Sequence, residues 1–91
     1  MKDKFLPHYQ RIGKNVRYTR IRIGWTQEEL AHKCSVNREQ ISRIENARRD
    51  YMYSTLLEVC DALDKTIYEI SQEDADAEAF DLEYKIKKKN Q

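Results

Sequence analysis

The chain is expected to fold as a small all-α domain, and three observations carry that expectation. Helix-start signals recur as Thr26-x-x-Glu29, Asn37-x-x-Gln40 and Thr66-x-x-Glu69. In each, the first side chain can accept a hydrogen bond from an amide of the first turn, while the side chain three residues on reaches back to the cap's own amide. The apolar residues that follow fall at helical spacings, as in Leu30, Ala31 and Cys34. Finally, 91 residues allow one modest core and no second effector domain, so no separate ligand-sensing module is expected.

Pro7 suits the first turn of a helix running to about Ile23, with Tyr9, Ile12, Val16 and Arg20 inward and Gly24 ending it. Both glycines are placed at helix boundaries. Trp25 is expected to plug the core beside a second helix opened by Thr26. Ser35 and Val36 break its period, and Asn37 opens a third helix whose buried face is Ile41 and Ile44. A basic loop, Ala47-Arg48-Arg49-Asp50, leads to a fourth helix from about Tyr53 to Leu63 that buries Leu56, Val59, Cys60 and Leu63. The Thr66 box opens a one-turn helix carrying Ile67 and Ile70. Gln72 to Glu78 is acidic and alanine-rich without a large anchoring residue, and reads as a linker or frayed helix. The expected division is therefore residues 1–72 as the folded domain and 73–91 as linker and tail.

Two short helices joined by a tight turn occupy Thr26 to Asn46, and the second exposes Arg38, Glu39, Gln40, Ser42 and Arg43. These side chains hydrogen-bond to base edges rather than merely solvate a helix, so the pattern points to double-stranded DNA. Net charge is only +1, but its distribution is lopsided: residues 1–50 hold 12 Lys+Arg against 6 Asp+Glu, and residues 51–91 hold 5 against 10. A positive face and a negative far side would orient the protein towards phosphates. Arginine can bind guanine O6 and N7 with two bonds, which makes Arg38 and Arg43 the foremost candidates. Glu39 either accepts from cytosine N4 or holds Arg43 through an i,i+4 pair. Arg48 and Arg49 are expected on phosphate.

Catalysis, metal binding and a cofactor are not expected. His8 and His32 stand alone, no histidine-cysteine-carboxylate cluster has ligand spacing, and Cys34 and Cys60 fall on apolar stripes as small buried hydrophobes. There is no run of about 18 apolar residues and no secretory signal, so a cytoplasmic protein without a membrane partner is expected.

From Ile12 to Ile70 the chain resembles the phage-repressor and Cro-like helix-turn-helix family. The resemblance is carried by Ile12-Gly13, Arg17 and Arg20, Thr26-Gln27-x-x-Leu30-Ala31, Val36, Ile41-Ser42-x-Ile44-Glu45, and Leu56, Leu57 and Leu63. It implies a five-helix, lambda-repressor-like bundle whose third helix enters the major groove, with Asn37, Arg38, Glu39, Gln40, Ser42, Arg43 and Asn46 at the DNA. It also implies a phosphate contact at Gln27, where the helix start offers spare amides, and an ion pair between Arg20 and Glu45. Three residues depart from the family pattern. Ser35 and Ala47 stand where glycine is usual, and Tyr51 where proline is common; Asn46 is an alternative holder of the left-handed position after the third helix.

One helix-turn-helix covers few base pairs, so a homodimer on a palindromic operator is expected, as a transcriptional regulator whose sign depends on where the operator lies. The alternative is an antitoxin-like or adaptor protein that binds a protein partner through its tail and regulates itself through DNA. In that tail Phe80, Leu82, Tyr84 and Ile86 alternate with Asp81, Glu83, Lys85 and Lys87. A period of two suits a strand. Antiparallel pairing about Tyr84 would set Glu83 against Lys85 and Asp81 against Lys87, so residues 79–88 are expected as an intermolecular dimerisation ribbon, with a disordered basic tail or a helix as alternatives.

Overall fold

The three capping boxes close as the sequence predicts. Thr26, Asn37 and Thr66 each accept a hydrogen bond from the backbone amide three residues on, and Glu29, Gln40 and Glu69 accept from the cap amides, all at 2.9–3.0 Å. The computed structural model describes residues 2–89. After a 3-10 turn at Asp3–Phe5 come α1 (Leu6–Ile23), α2 (Gln27–Cys34), α3 (Arg38–Asn46), α4 (Tyr53–Ala62), α5 (Ile67–Ser71) and α6 (Ala75–Lys89). The first five helices match the sequence reading to within a residue or two at their ends.

Val16, Leu30, Ile41, Ile44, Val59 and Ile70 are the wholly buried centre of the core, with Trp25 and Val36 packed against it. Trp25 is tied to α1 by its amide, which donates to Arg20 O. Both cysteines are buried and unpaired, and burial raises both thiols, Cys60 to about 11.

Gly13 lies inside α1 rather than at a boundary, which corrects the sequence reading. A Cβ there would sit 2.6 Å from Ile44 O and 2.7 Å from Glu45 O, both backbone atoms of α3. Its missing side chain lets the two helix backbones cross in contact, which fixes where α3 stands. The turns also resolve. Ser35 and Ala47 themselves adopt the left-handed conformation, at φ 54° and 51°, while Asn46 stays helical. Each non-glycine residue held there costs on the order of 1 kcal/mol.

The tail differs most from expectation. Residues 79–88 belong to a helix, and among the described residues no strand forms. Asp74 starts it, its carboxylate accepting from the amides of Asp76 and Ala77. Of Gln72 to Glu78, residues 72–74 connect α5 to α6 and 75–78 form the first turn of α6, which is anchored rather than frayed: Ala77 is wholly buried, and Asn15 of α1 donates to Ile70 O and Gln72 O, both at 2.7 Å. Ala77, Phe80, Asp81 and Tyr84 form a helical stripe that lies on α1, with Phe80 beside Tyr18 at 5.6 Å between ring centres. The alternation misleads because Asp81 points inward with the apolar residues, where Arg17 neutralises it at 3.3 Å.

Candidate nucleic-acid interface

The exposed side of α3 is supported from beneath by Glu45, which is 4% exposed. Its carboxylate accepts from Arg20 Nε at 2.7 Å and Arg20 Nη2 at 3.0 Å, a two-bonded pair of the kind expected between α1 and α3. Arg17 Nε adds a third bond at 3.3 Å and Gln27 Nε2 a fourth at 3.1 Å. Arg17 continues outward, donating to Asp81 Oδ1 and to Asn46 Oδ1, and its guanidinium lies 4.6 Å from the centre of the Tyr84 ring. Two arginines thus meet two carboxylates, and the buried cluster is neutral. Among the described residues no buried side-chain nitrogen or oxygen lacks a partner. Burying one charged group alone would cost several kcal/mol, so each member depends on the others.

The candidates on α2 and α3 separate by what they already hold. Arg38 and Glu39 are exposed, and Ser42 and Arg43 are half-buried, on the side opposite Ile41 and Ile44. Glu39 Oε1 lies 3.7 Å from Arg43 Nη2, the i,i+4 arrangement in which the carboxylate steadies the arginine. Asn37 Oδ1 and Gln40 Oε1 are engaged in the cap of α3. Asn46 donates to Ser42 O and Ser42 Oγ while accepting from Arg17, and Gln27 faces Glu45 at the end of α3. These four shape the helix that carries the free side chains.

Arg48 and Arg49 are exposed on the loop after α3. Sequence reasoning missed what holds that loop. Tyr9 of α1 donates to the Asp50 carboxylate, and the Tyr9 and Tyr51 rings meet edge to face at 5.3 Å. The hydrogen bond from Tyr9 lowers the Asp50 pKa, and the same bond raises that of Tyr9. Tyr51, where the family favours proline, therefore braces the loop by ring packing, and burial raises its own hydroxyl pKa.

Of the expected dimer residues, Phe80 and Tyr84 turn inward onto α1, while Leu82 and Ile86, one turn apart, remain 63% and 53% exposed. Among the described residues no group of three or more metal-binding side chains converges, and no helix is long and apolar enough to cross a membrane.

A model of the helix-turn-helix family matches residues 16–70. A hypothetical transcription factor of Neisseria meningitidis serogroup B is 34% identical over 59 residues, covering 65% of this chain and 56% of that protein. The competence pilus inhibition repressor of Acinetobacter baylyi is also 34% identical over 59 residues, covering 65% and 54%. The chain thus spans little more than half the length of the curated relatives it matches. Among solved structures, the restriction-modification controller protein C.AhdI of Aeromonas hydrophila superposes with a TM-score of 0.67 at 25% identity, covering 76% of this chain and 99% of that one.

Proposed function

This chain belongs to the helix-turn-helix family of DNA-binding transcriptional regulators, and we propose that it acts as a homodimer on a palindromic operator. The observation that carries the reading is α3 itself. Arg38, Ser42 and Arg43 stand outward on a helix whose inner face is locked by Ile41, Ile44 and the buried Glu45 cluster, so the groups that would meet bases are held by a rigid element. Arg38 and Arg43 read base edges, Glu39 holds Arg43, and Arg48 and Arg49 take phosphate from the loop that Tyr9 braces. Asn37, Gln40, Gln27 and Asn46 set the position of the reading helix, with Gln27 at the phosphate edge of α2.

A single reading helix specifies only a few base pairs, so two copies are needed to define a site. Leu82 and Ile86 form an exposed apolar pair on α6, and we assign them to the contact between copies. Where the operator overlaps what the polymerase needs, such a dimer represses, the sign that the Acinetobacter relative's name supports. The test is selection of bound sequences from a random DNA pool. Enrichment of an inverted repeat supports the reading, and no enrichment overturns it. Sedimentation of a Leu82→Lys, Ile86→Lys variant checks the dimer contact, which is wrong if the variant still sediments as a dimer.

A further inference from the structure

We propose that the carboxyl-terminal end of α6 is a second phosphate-binding element, in which Lys88, assisted by Lys85, holds the DNA backbone beside the groove entered by α3. The inference rests on the DNA reading of α3 given above and adds a contact outside the segment 16–70 that matches the family. Three observations converge on it. The first is charge order along the helix: Asp74, Asp76, Glu78, Asp81 and Glu83 come before the sequence changes sign at Lys85, Lys87, Lys88 and Lys89.

The second is direction. α6 runs beside α1 in the same sense, with Glu78 Oε2 3.0 Å from Lys14 Nζ and Asp81 3.3 Å from Arg17 one turn later. Lysines at the end of a helix complement its dipole wherever that end lies. Here the Arg17 contacts to Asp81 and Tyr84 fix both the direction and the rotation of α6, so its basic end arrives at the reading face and its acidic start stays near Lys14.

The third is placement. Lys88 and Tyr84 line one open groove together with Gln27, Arg38, Ser42 and Asn46, and Glu28 is the single carboxylate in that lining against Lys88 and three arginines. Lys88 Nζ lies 5.7 Å from the Tyr84 ring centre, and Lys85, one turn back, is two-thirds exposed while touching Asp81 at 3.2 Å. A ligand that fills this groove must satisfy a lysine ammonium and the hydrogen-bonding side chains of α2 and α3 at once. A nucleic-acid backbone passing from α3 to α6 does so, because phosphates accept from lysine as a point charge without demanding fixed geometry.

The experiment uses the full chain and two duplexes, a selected operator and its scrambled counterpart, titrated across salt concentration. K88Q and the double variant K85Q/K88Q are compared with K65Q, which removes the same charge between α4 and α5. Glutamine keeps helix propensity, and an unchanged far-ultraviolet dichroism spectrum verifies that α6 persists. The expected result is an equal fold-loss of affinity on both duplexes, with the slope of log K against log salt flattened by about one unit per lysine removed, while K65Q leaves the slope as it was. K85Q/K88Q behaving as wild type or as K65Q overturns the α6 contact alone. A wild-type chain that binds neither duplex overturns both this inference and the reading of α3.

Discussion

Arg17 and Asp81 form an ion pair at 3.3 Å with side chains only 6% and 7% exposed, although 64 residues separate them in sequence. The pair joins the buried Glu45 cluster to a helix that lies beyond the matched family segment. Removing one partner of a buried pair leaves the other desolvated and uncompensated, a loss of about 3–5 kcal/mol. Glu45→Ala, which leaves Arg20 with only the Trp25 carbonyl and removes one of Arg17's three partners, is expected to fall in that range. Asp81→Ala should cost less, about 1–3 kcal/mol, since Arg17 keeps Glu45 and Asn46. Urea denaturation of the two variants checks the order; equal stability of both with wild type would show that the cluster contributes nothing net.

Gly13→Ala places a methyl group against the Ile44 and Glu45 carbonyls, where only backbone movement can relieve the overlap. Overpacking of this kind costs about 1–3 kcal/mol, and here it also shifts the reading helix. The variant is expected to lose both melting temperature and operator affinity, the second more than its remaining folded fraction explains. Thermal melts paired with binding titrations at low temperature separate the two effects.

Alanine at Arg38 or Arg43 is expected to relax preference at particular base positions, each at a cost of about 1–3 kcal/mol for the cognate duplex. Arg48→Ala should instead weaken cognate and scrambled duplexes alike and flatten the salt dependence by about one unit. Equal losses on both duplexes for the Arg38 and Arg43 variants would remove the base contacts from the proposal.

Acid should loosen the fold at specific places. The backbone hydrogen bond to the Thr26 amide lowers the Glu29 pKa, that to the Thr66 amide lowers the Glu69 pKa, and the Tyr9 hydroxyl lowers that of Asp50. A carboxylate whose folded pKa is depressed contributes stability that is present above its unfolded pKa, near about pH 4, and lost as pH falls through the folded value. Stability is therefore expected to decline below about pH 4. The double variant Glu29→Gln, Glu69→Gln keeps both capping boxes without the titrating charge, and its decline should be shallower. Denaturation midpoints between neutral pH and pH 3 test this, and a parallel decline in both proteins would rule out the caps as the cause.

The helices with their own start signals were legible in the sequence because a capping box is a local device. Asn37 and Gln40 show the limit of that legibility. The same side chains that cap α3 are also expected at the DNA, and a side-chain oxygen already committed to a neighbouring amide has less to offer a base. The Arg20–Glu45 pair was foreseen through resemblance, whereas Gly13 and Arg17–Asp81 were not. Gly13 matters only because α3 crosses α1 at that point, and Asp81 is buried only because Arg17 reaches it. Without that partner, an aspartate between phenylalanine and leucine reads as the polar face of a strand, and the period-two pattern wins.

The division of labour on α3 carries an evolutionary consequence. Arg38 and Glu39 are exposed, and their one ion pair among the described residues is the weak contact between Glu39 and Arg43; Asn37, Gln40, Glu45 and Asn46 are committed to holding the helix. Substitutions in the first set therefore disturb few contacts, while changes in the second set cost stability, from about 1 kcal/mol for a lost cap to more for the buried carboxylate. On the proposed reading of α3, a duplicated copy would change its DNA preference through the exposed set while the residues that hold the helix stay as they are.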